Sequence, residues 1–369
     1  MTVRVTGKLV TPTGVIRQGC VEIVGDRIRA VAEYPSVRDG HWIVPGFVDM
    51  HTHGGGGHTF TTGDADSARE AAAFHLRHGT TTLLASLVSS PFAVMREATT
   101  AYRPLVESGV LAGIHFEGPY LSADRCGAQN PEFLRDPSTD ELAELIELGG
   151  GAIRMVTLAP ERDGALEAIK LLVSRGVVAA VGHTDATWEQ TRAALTAGAS
   201  VGTHLFNGMR PVHHREPGPV VALLDAPNVV CELVADGVHL HDGMLRFAHS
   251  VAGPERAALI TDAMAAAGMP DGEYELGGQA VTVADGVARL SRDGAIAGST
   301  LTMDAALRHA VASGIALPDA CRMVATTPAR AIGLGDQVGA LRTGLRADLV
   351  VMDDDLNVLR VMRAGTWVE

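Results

Sequence analysis

The sequence predicts an α/β fold, in which a (β/α)8 barrel of the TIM type carries a small β-sandwich domain formed from both termini. Three observations favour this fold. The chain has 369 residues, 46% of them hydrophobic, and one barrel of about 250 residues plus a small domain fits that length. The middle of the chain repeats a short apolar run followed by an amphipathic stretch. Both ends instead alternate between short apolar runs and turn residues, which is typical of antiparallel strands.

The small domain is predicted to comprise residues 1–44 and 338–369. Residues 3–31 contain short apolar runs separated by turn residues, as in hairpins. Residues 349–352 and 358–362 repeat this pattern on either side of an acidic turn. Because two β-rich ends flank a long middle, we expect them to pair into one domain.

Residues 45–337 are predicted to form a metal-dependent barrel, which needs eight strands that each lead into a helix. Eight apolar runs fit this requirement: residues 42–49, 80–87, 111–116, 153–158, 177–182, 200–204, 229–234 and 258–262. Helix candidates between the runs include residues 65–78, 139–147, 163–174, 185–197 and 302–312. Alternating residues and several glycines near residues 270–299 predict a β-hairpin insertion before the last helices.

The charge composition limits the classes of partner. Asp and Glu number 43 against 30 Lys and Arg, which leaves a net charge of −13. Binding nucleic acid without sequence preference needs an excess of basic residues, so we expect no nucleic-acid partner. No apolar stretch approaches the roughly 20 residues of a membrane span, and we expect no membrane association. The four cysteines form no CxxC pair, which indicates a reducing compartment and a cytoplasmic protein.

A pair of histidines follows the first predicted barrel strand. His51 and His53 are two residues apart, so on an extended chain both side chains project to the same face, here the mouth of the barrel. Two imidazoles on one face can bind one metal ion, although an HxH pair also arises by chance in a chain with 15 histidines. The glycines at 54–57 favour a sharp turn away from a crowded site or form a flexible surface loop.

Four further candidate ligands end other predicted strands, at the face where barrel enzymes hold their catalytic residues. They are Glu117, His183, His204 and Asp262. Nitrogen and carboxylate ligands without cysteine favour Zn²⁺, with Fe²⁺, Mn²⁺, Co²⁺ and Cd²⁺ as alternatives. Six ligands exceed the need of one catalytic ion, so one or two ions per subunit are left open. Such a site predicts a metal-dependent hydrolase.

Seven short motifs lie at or near the predicted strand ends. The first is Pro45-Gly46-Phe47-Val48-Asp49-Met50-His51-Thr52-His53-Gly54. The others are His115-Phe116-Glu117-Gly118-Pro119, Gly182-His183-Thr184, Thr203-His204-Leu205-Phe206-Asn207-Gly208-Met209, Ala235-Asp236-Gly237-Val238-His239, Thr261-Asp262-Ala263 and Ala297-Gly298-Ser299-Thr300-Leu301. The first motif resembles the amidohydrolase superfamily. The other six, in this order, resemble the N-acetylglucosamine-6-phosphate deacetylase family within it.

The resemblance implies hydrolysis of N-acetyl-D-glucosamine 6-phosphate to D-glucosamine 6-phosphate and acetate, in amino-sugar catabolism and cell-wall sugar recycling. It implies that Glu117, His183 and His204 hold the principal ion. Asp262 is then the catalytic acid and base, which takes a proton from water and delivers it to the amine leaving group. Some members of the family replace the HxH pair and use one ion, whereas this chain keeps both histidines.

The resemblance also implies a set of contacts to the phosphorylated amino sugar: Ala128, Asn207, Gly208, Arg215, Asp236, Gly237, Val238, His239, Ala297, Gly298 and Ser299. Arg215 suits this role because a guanidinium matches phosphate geometry. His239 is expected to bind phosphate or to stabilise the oxyanion, and both roles stay open. In relatives a phosphate contact comes from the neighbouring subunit, which implies a homodimer. Gly208 stands where many relatives carry Ala, a difference that should be tolerated. Gln129 stands where many relatives carry His, so finer details of sugar recognition are expected to differ.

Two other functions compete with this interpretation. Cyclic-amide hydrolases of the same superfamily typically carry a carboxylated lysine as a bridging ligand. The only lysines here are Lys8, in the predicted terminal sheet, and Lys170, inside a predicted helix, so Glu117 is the better bridge. A non-catalytic sugar-phosphate sensor could keep the scaffold while lacking part of the catalytic set, but every element is present.

Overall fold

Strands from both ends of the chain form one seven-stranded sheet, here called the terminal sheet. The structure is a computed structural model, and it describes residues 2–36 and 40–369. Its strands are β1 (Thr2–Thr11), β2 (Gly14–Val24), β3 (Arg27–Glu33), β4 (Trp42–Pro45), β18 (Leu349–Met352), β19 (Val358–Arg363) and β20 (Thr366–Trp367). Their order across the sheet is β20-β19-β18-β4-β1-β2-β3. The predicted pairing of the two ends is therefore confirmed.

The join between the two ends lies at β4. This strand pairs in parallel with β1, where Lys8 lies opposite Trp42, and antiparallel with β18, where Leu349 lies opposite Pro45. Apolar side chains from both ends, including Leu9, Ile43 and Leu349, are fully buried in one core. The sheet therefore has a core of its own, to which both ends of the chain contribute.

Eight parallel strands form the second sheet, the predicted barrel. They are β5 (Phe47–Asp49), β8 (Thr80–Leu87), β9 (Gly113–Glu117), β10 (Ile153–Leu158), β11 (Val178–Val181), β12 (Val201–Gly202), β13 (Val230–Val234) and β14 (Ala257–Ile260). The chain just after β14 closes onto the chain just after β5. The Asp262 amide donates to His51 O at 2.9 Å, and the His53 amide donates to Ala263 O at 2.7 Å. The barrel thus closes at its C-terminal mouth, through residues predicted as metal ligands.

Helices surround the barrel strands and bury one face against them. They are α1 (Ala65–Arg77), α2 (Phe92–Glu107), α3 (Thr139–Gly149), α4 (Ala165–Ser174), α5 (Trp188–Ala197), α6 (Gly218–Asp225), α7 (Asp242–Ala252), α8 (Met303–Ala312), α9 (Leu317–Cys321) and α10 (Thr327–Ala331). The α5 helix begins three residues later than predicted because Thr187 and Gln190 form a capping box. No helix in the described ranges is both long and apolar enough to cross a membrane.

One predicted strand was wrong in its extent. The apolar run 42–49 divides at Gly46 into β4 of the terminal sheet and β5 of the barrel. A Cβ atom at Gly46 would lie 2.3 Å from Thr81 Oγ1, so the passage between the sheets has no room for a side chain. The first barrel strand is consequently short, and it leads directly to His51.

The predicted insertion is larger than a single hairpin. It forms a three-stranded antiparallel sheet of β15 (Gly272–Leu276), β16 (Gln279–Ala284) and β17 (Val287–Leu290). A short ribbon of β6 (Gly54–Gly55) and β7 (His58–Thr59) follows the HxH pair. The insertion sheet contributes Leu276 to the cavity at the mouth of the barrel.

Candidate active site

All six predicted metal ligands lie at the C-terminal mouth of the barrel and are buried. They form two groups, in each of which the ligand atoms lie within 4.8 Å of one another: His51, His53 and Asp262, and Glu117, His183 and His204. Glu117 is the last residue of β9, and His51, His183, His204 and Asp262 are each the second residue after a barrel strand. The shared position explains why residues far apart in the sequence meet at one rim.

Glu117 connects the two groups. Its Oε1 lies 2.8 Å from His204 Nε2 and 3.0 Å from His183 Nε2, whereas its Oε2 lies 3.3 Å from His53 Nε2. Asp262 Oδ1 lies 3.1 Å from His53 Nε2 on the other side. Glu117 therefore directs one carboxylate oxygen toward each group, the geometry that a bridging ligand needs.

The ring nitrogens show that these groups suit metal ions. Each ligand histidine directs Nδ1 to an acceptor: His51 to Glu232 Oε2 at 3.0 Å, His53 to Ser86 O at 3.1 Å, His183 to Arg125 O at 2.8 Å and His204 to Asn207 O at 3.1 Å. In neutral imidazoles that donate from Nδ1, each Nε2 carries only a lone pair.

The Nε2 atoms of His51 and His53 lie 3.2 Å apart, and those of His183 and His204 lie 3.1 Å apart. Two lone pairs cannot hydrogen-bond to each other. Ligand nitrogens about 2.0–2.1 Å from one tetrahedral ion lie about 3.3 Å apart. The spacing in both groups therefore fits two imidazoles that share an ion, and the residues fit the implied metal.

Three of the ligands have a left-handed backbone. The φ angles are 45° at His183, 25° at His204 and 50° at Asp262. Such a conformation is uncommon outside glycine, costs on the order of 1–3 kcal/mol and concentrates at functional sites. At each of these positions the chain turns sharply as it leaves the strand, which directs the side chain over the mouth of the barrel.

The buried charges favour cations in the site. Burial by itself raises the pKa of Glu117, but His51 and His183 outweigh it and hold that pKa well below its usual range. Burial acts in the same direction on Asp262, and the hydrogen bond from His53 with neighbouring imidazoles lowers its pKa. Burial lowers the pKa of His53, yet Asp262 and Glu117 raise it to about 9, so at neutral pH these carboxylates favour a positive charge on its Nε2, either a proton or a metal ion. Both carboxylates are therefore ionised at neutral pH and attract positive charge.

A cavity of about 220 Å³ opens above the two groups. Five of the residues predicted to contact the sugar line it: Ala128, Asn207, Gly208, His239 and Gly298. Val88, Leu276 and Ile296 add apolar walls. The cavity thus combines the candidate metal ligands with a partly apolar pocket, as small-molecule sites do.

His239 belongs to a rigid pair with Asp236. Asp236 Oδ2 lies 2.6 Å from His239 Nδ1, and Oδ1 accepts the amides of Val238 and His239, each at 2.8 Å. Burial by itself lowers the pKa of His239, but the hydrogen bond and charge of Asp236 outweigh it and raise the pKa. The contact with Asp236 therefore favours the protonated, cationic form of an imidazole that lines the cavity.

The remaining predicted contacts lie outside the cavity wall. Ala297 is buried, and Ser299 donates its amide to Asp262 O at 2.7 Å, so this segment supports Asp262 from behind. Val238 is exposed. Gly237 has φ 73° in the turn before His239. Arg215 lies on an exposed loop, where its Nη1 is 2.7 Å from His214 Nε2, and does not reach the cavity of its own chain.

Two side chains have roles at the site that the sequence did not reveal. Gln129 donates its Nε2 to Glu117 Oε2 at 2.6 Å and accepts the Ser89 amide at 2.6 Å. Glu232, in the middle of β13, contacts His51. The signal in the sequence is a glutamate inside the apolar run 229–234, away from the end of the strand.

The comparisons with known proteins agree with this geometry. Residues 42–368 match the amidohydrolase family. The chain is 35% identical to the N-acetylglucosamine-6-phosphate deacetylase of Lysinibacillus sphaericus, over 95% of this chain and 91% of that protein. It is 38% identical to the N-acetylgalactosamine-6-phosphate deacetylase of Escherichia coli O157:H7, over 97% of each.

A solved structure gives a similar result. A mutant N-acetyl-D-glucosamine-6-phosphate deacetylase from Mycobacterium smegmatis, in complex with N-acetyl-D-glucosamine-6-phosphate, superimposes with a TM-score of 0.96. Its sequence is 48% identical, and the alignment covers 99% of both chains. The chain therefore belongs to the amidohydrolase family and, within it, to the N-acetylglucosamine-6-phosphate deacetylases.

Proposed function

We propose that the chain hydrolyses N-acetyl-D-glucosamine 6-phosphate to D-glucosamine 6-phosphate and acetate. One observation carries the proposal: two groups of buried metal ligands face a cavity lined by five of the residues expected to contact the sugar. The names of the Lysinibacillus and Mycobacterium relatives support the same substrate. The reaction breaks the amide C–N bond, forms a C–O bond to water and moves one proton to the amine.

The metal is proposed to be Zn²⁺, held by Glu117, His183 and His204 and, for a second ion, by His51, His53 and Asp262. The donor set of imidazole nitrogens and carboxylate oxygens without thiolates supports this identity. A divalent ion bound there lowers the pKa of a coordinated water to about 7 and polarises a carbonyl group.

Asp262 is proposed to carry the proton. Its carboxylate is ionised, so it can accept a proton from the attacking water, and it lies at the edge of the cavity where the leaving amine must sit. Protonation neutralises a buried charge beside His53, and transfer to the nitrogen restores the starting state. The backbone bonds at Asp262 N and O hold it rigid during both transfers.

His239 is proposed to meet either the phosphate or the developing oxyanion, and kinetics separate the two. If the imidazolium binds phosphate, His239→Gln raises KM for the 6-phosphorylated sugar and leaves the unphosphorylated sugar unaffected. If it stabilises the oxyanion, the same variant lowers kcat for both sugars. Initial rates with both sugars give the answer.

Arg215 is proposed to act in a homodimer, on the cavity of the partner subunit. Residues 211–216 are all exposed, and Arg215 does not line its own cavity, which supports a contact across subunits. Mixing inactive Arg215→Ala and Asp262→Asn subunits should then restore activity, because one site per mixed dimer regains both groups. Absence of restoration in verified mixed dimers would contradict the proposal.

A cytoplasmic location is also proposed. All four cysteines of the described chain are free, and Cys20, Cys231 and Cys321 are buried. Thiols persist in a reducing compartment.

The proposed activity is tested by acetate release from metal-replete protein. The substrates are N-acetyl-D-glucosamine 6-phosphate, its unphosphorylated form and N-acetyl-D-galactosamine 6-phosphate, the second candidate that the Escherichia coli relative favours. We expect the highest kcat/KM with the first. No release from any of the three, with metal content verified on the same sample, would refute the deacetylase activity.

A further inference from the structure

We propose that Glu232 is a positioning residue that determines whether the His51, His53 and Asp262 group holds a second ion. The inference deepens the proposed function, because it rests on metal binding at the two groups. It does not depend on which sugar is the substrate.

Glu232 lies in the middle of β13, with a side chain that is fully buried. Its Oε2 accepts the Nδ1 proton of His51 at 3.0 Å and the main-chain amide of His204 at 3.1 Å. The first bond fixes the tautomer and the rotation of the His51 ring, so that Nε2 faces His53 and Glu117. The second bond reaches only the backbone of His204, whose ring is oriented separately by Asn207 O.

The contact to a carboxylate distinguishes His51 from the other ligand histidines. His53, His183 and His204 each direct Nδ1 to a main-chain carbonyl. A carboxylate partner increases the basicity of the ligating nitrogen more than a neutral carbonyl does. Glu232 thus contacts a ligand of the His51, His53 and Asp262 group, here called the second group, and not a ring of the Glu117, His183 and His204 group.

The buried charge of Glu232 also needs an explanation. Its Oε1 is buried and has no hydrogen-bond partner among the described residues, and a buried carboxylate is costly unless positive charge lies near it. One divalent ion would already be balanced by Glu117 and Asp262. Two divalent ions bring four positive charges, so a third carboxylate beside the site is favourable. The extra negative charge therefore fits two ions better than one.

The test is a titration of chelator-treated full-length protein with Zn²⁺, by calorimetry and by metal analysis after dialysis. Glu232→Gln keeps an oxygen that can accept from His51 but removes the charge, and Glu232→Ala removes both. We expect the wild type to bind two ions. One of them should bind about 10- to 100-fold more weakly in Glu232→Gln and more weakly still in Glu232→Ala, with the other changed by less than about threefold.

Two further variants make the result specific. His53→Asn removes a ligand of the second group only, and it should weaken the same binding step as Glu232→Gln. Asp49→Asn is the matched control. Asp49 is also fully buried, but it contacts the His51 amide and Thr261 rather than a ring nitrogen. The Asp49→Asn substitution should weaken binding of the second ion much less than Glu232→Gln does.

Several outcomes would overturn the proposal. They are a wild type that binds one ion, unchanged affinities in both Glu232 variants, a parallel loss of both ions, or an equal effect of Asp49→Asn. Because the titration uses no sugar, two-ion binding with the expected variant effects but no acetate release would refute the activity alone. Normal acetate release with unchanged titrations would refute the role of Glu232 alone.

Discussion

At each ligand histidine the two ring nitrogens have different partners. Nε2 faces the other ligands, and Nδ1 is bonded to an acceptor outside the group. Three of the acceptors are main-chain carbonyls, of Ser86, Arg125 and Asn207. Substituting those residues leaves the carbonyls in place. Among the four ligand histidines, His51 alone is oriented by a side chain, so substitution of Glu232 can remove the bond that orients it.

Asp262→Asn is predicted to abolish most of the activity while leaving the principal ion bound. The amide cannot accept a proton from water, and loss of a positioned acid and base typically costs 10²- to 10⁴-fold in rate, so kcat should fall by about that factor. The Glu117, His183 and His204 group does not include Asp262. Acetate release and metal analysis on one sample check both statements, and near-normal turnover would contradict the assignment.

Asp236→Asn is predicted to shift the pH dependence of catalysis. Burial alone lowers the pKa of His239, and Asp236 raises it above the usual value. The wild-type imidazolium is therefore present below the raised pKa and is lost as pH rises through it. Without the Asp236 charge that loss begins at lower pH, so the alkaline fall of kcat/KM should move toward acid pH.

The pH profile of kcat/KM measures this shift, and His239→Gln is the control because it should abolish the alkaline limb. An Asp236→Asn profile that coincides with the wild type would show that His239 does not act as a cation.

The meeting of the candidate metal ligands at the mouth of the barrel could be predicted from the sequence, but their supporting contacts could not. His51, Glu117 and Asp262 stand out because a strand leads directly to each. Glu232 touches His51 across 181 residues of sequence, and Gln129 reaches Glu117 from an irregular loop. Such contacts follow from how strands and loops are placed in three dimensions, which local spacing does not encode.

The loops after the barrel strands are joined to one another by Asp185. Its carboxylate accepts from Arg125 at 2.8 Å and from Arg210 at 2.6 Å. Arg125 supplies the carbonyl that orients His183, and Arg210 follows Gly208, which lines the cavity. One partly exposed carboxylate thus connects the segment after β9 with the segment after β12.

Asp185→Ala is predicted to weaken substrate binding more than it destabilises the protein. Partly exposed ion pairs contribute about 1 kcal/mol or less, so KM for the sugar phosphate should rise by about fivefold at most. Steady-state kinetics at fixed metal content measure the change. Asp163→Ala is the matched control, since Asp163 is exposed and forms no ion pair with a described residue. An unchanged KM in Asp185→Ala would contradict the role of this connection.

The positions of helices and strands follow from the sequence better than the sheet to which each strand belongs. All eight predicted apolar runs overlap with a barrel strand, and the helix prediction 65–78 differs from α1 by one residue. The run 42–49 is nevertheless counted as one barrel strand, although the predicted domain boundary between residues 44 and 45 divides it. Its first half pairs with β1 and β18, and a buried apolar strand has the same local pattern in either sheet.

The terminal sheet and the barrel are fastened together by arginines. Arg346 forms an ion pair with Asp348 and donates to Thr82 Oγ1 at 2.8 Å on barrel strand β8. Arg363, at the end of β19, donates to Val110 O at 3.3 Å between α2 and β9. Together with the direct passage from β4 to β5, these contacts hold the terminal sheet against the barrel that carries the candidate metal site.

Removal of the metal is predicted to lower the stability of the whole chain. An ion that binds only the folded state contributes about 4 kcal/mol at 1,000 times its Kd, which corresponds to roughly 5 °C in Tm for a chain of this size. Chelation should lower Tm by that order, and Zn²⁺ should restore it. Ca²⁺ is the control, because it prefers oxygen ligands. An unchanged Tm in protein verified to be metal-free would contradict the prediction.

The position of β4 has a consequence for how the protein folds during synthesis. One edge of β4 pairs with β1, which the ribosome makes earlier, but the other edge waits for β18, about 300 residues later. Until then the nascent chain exposes an unpaired strand edge, which invites aggregation or a chaperone. His51 and His53 lie just after the passage from β4 to β5. They are thus synthesised early, but their positions become fixed late. Metal loading at the second group should accordingly be among the last events in maturation.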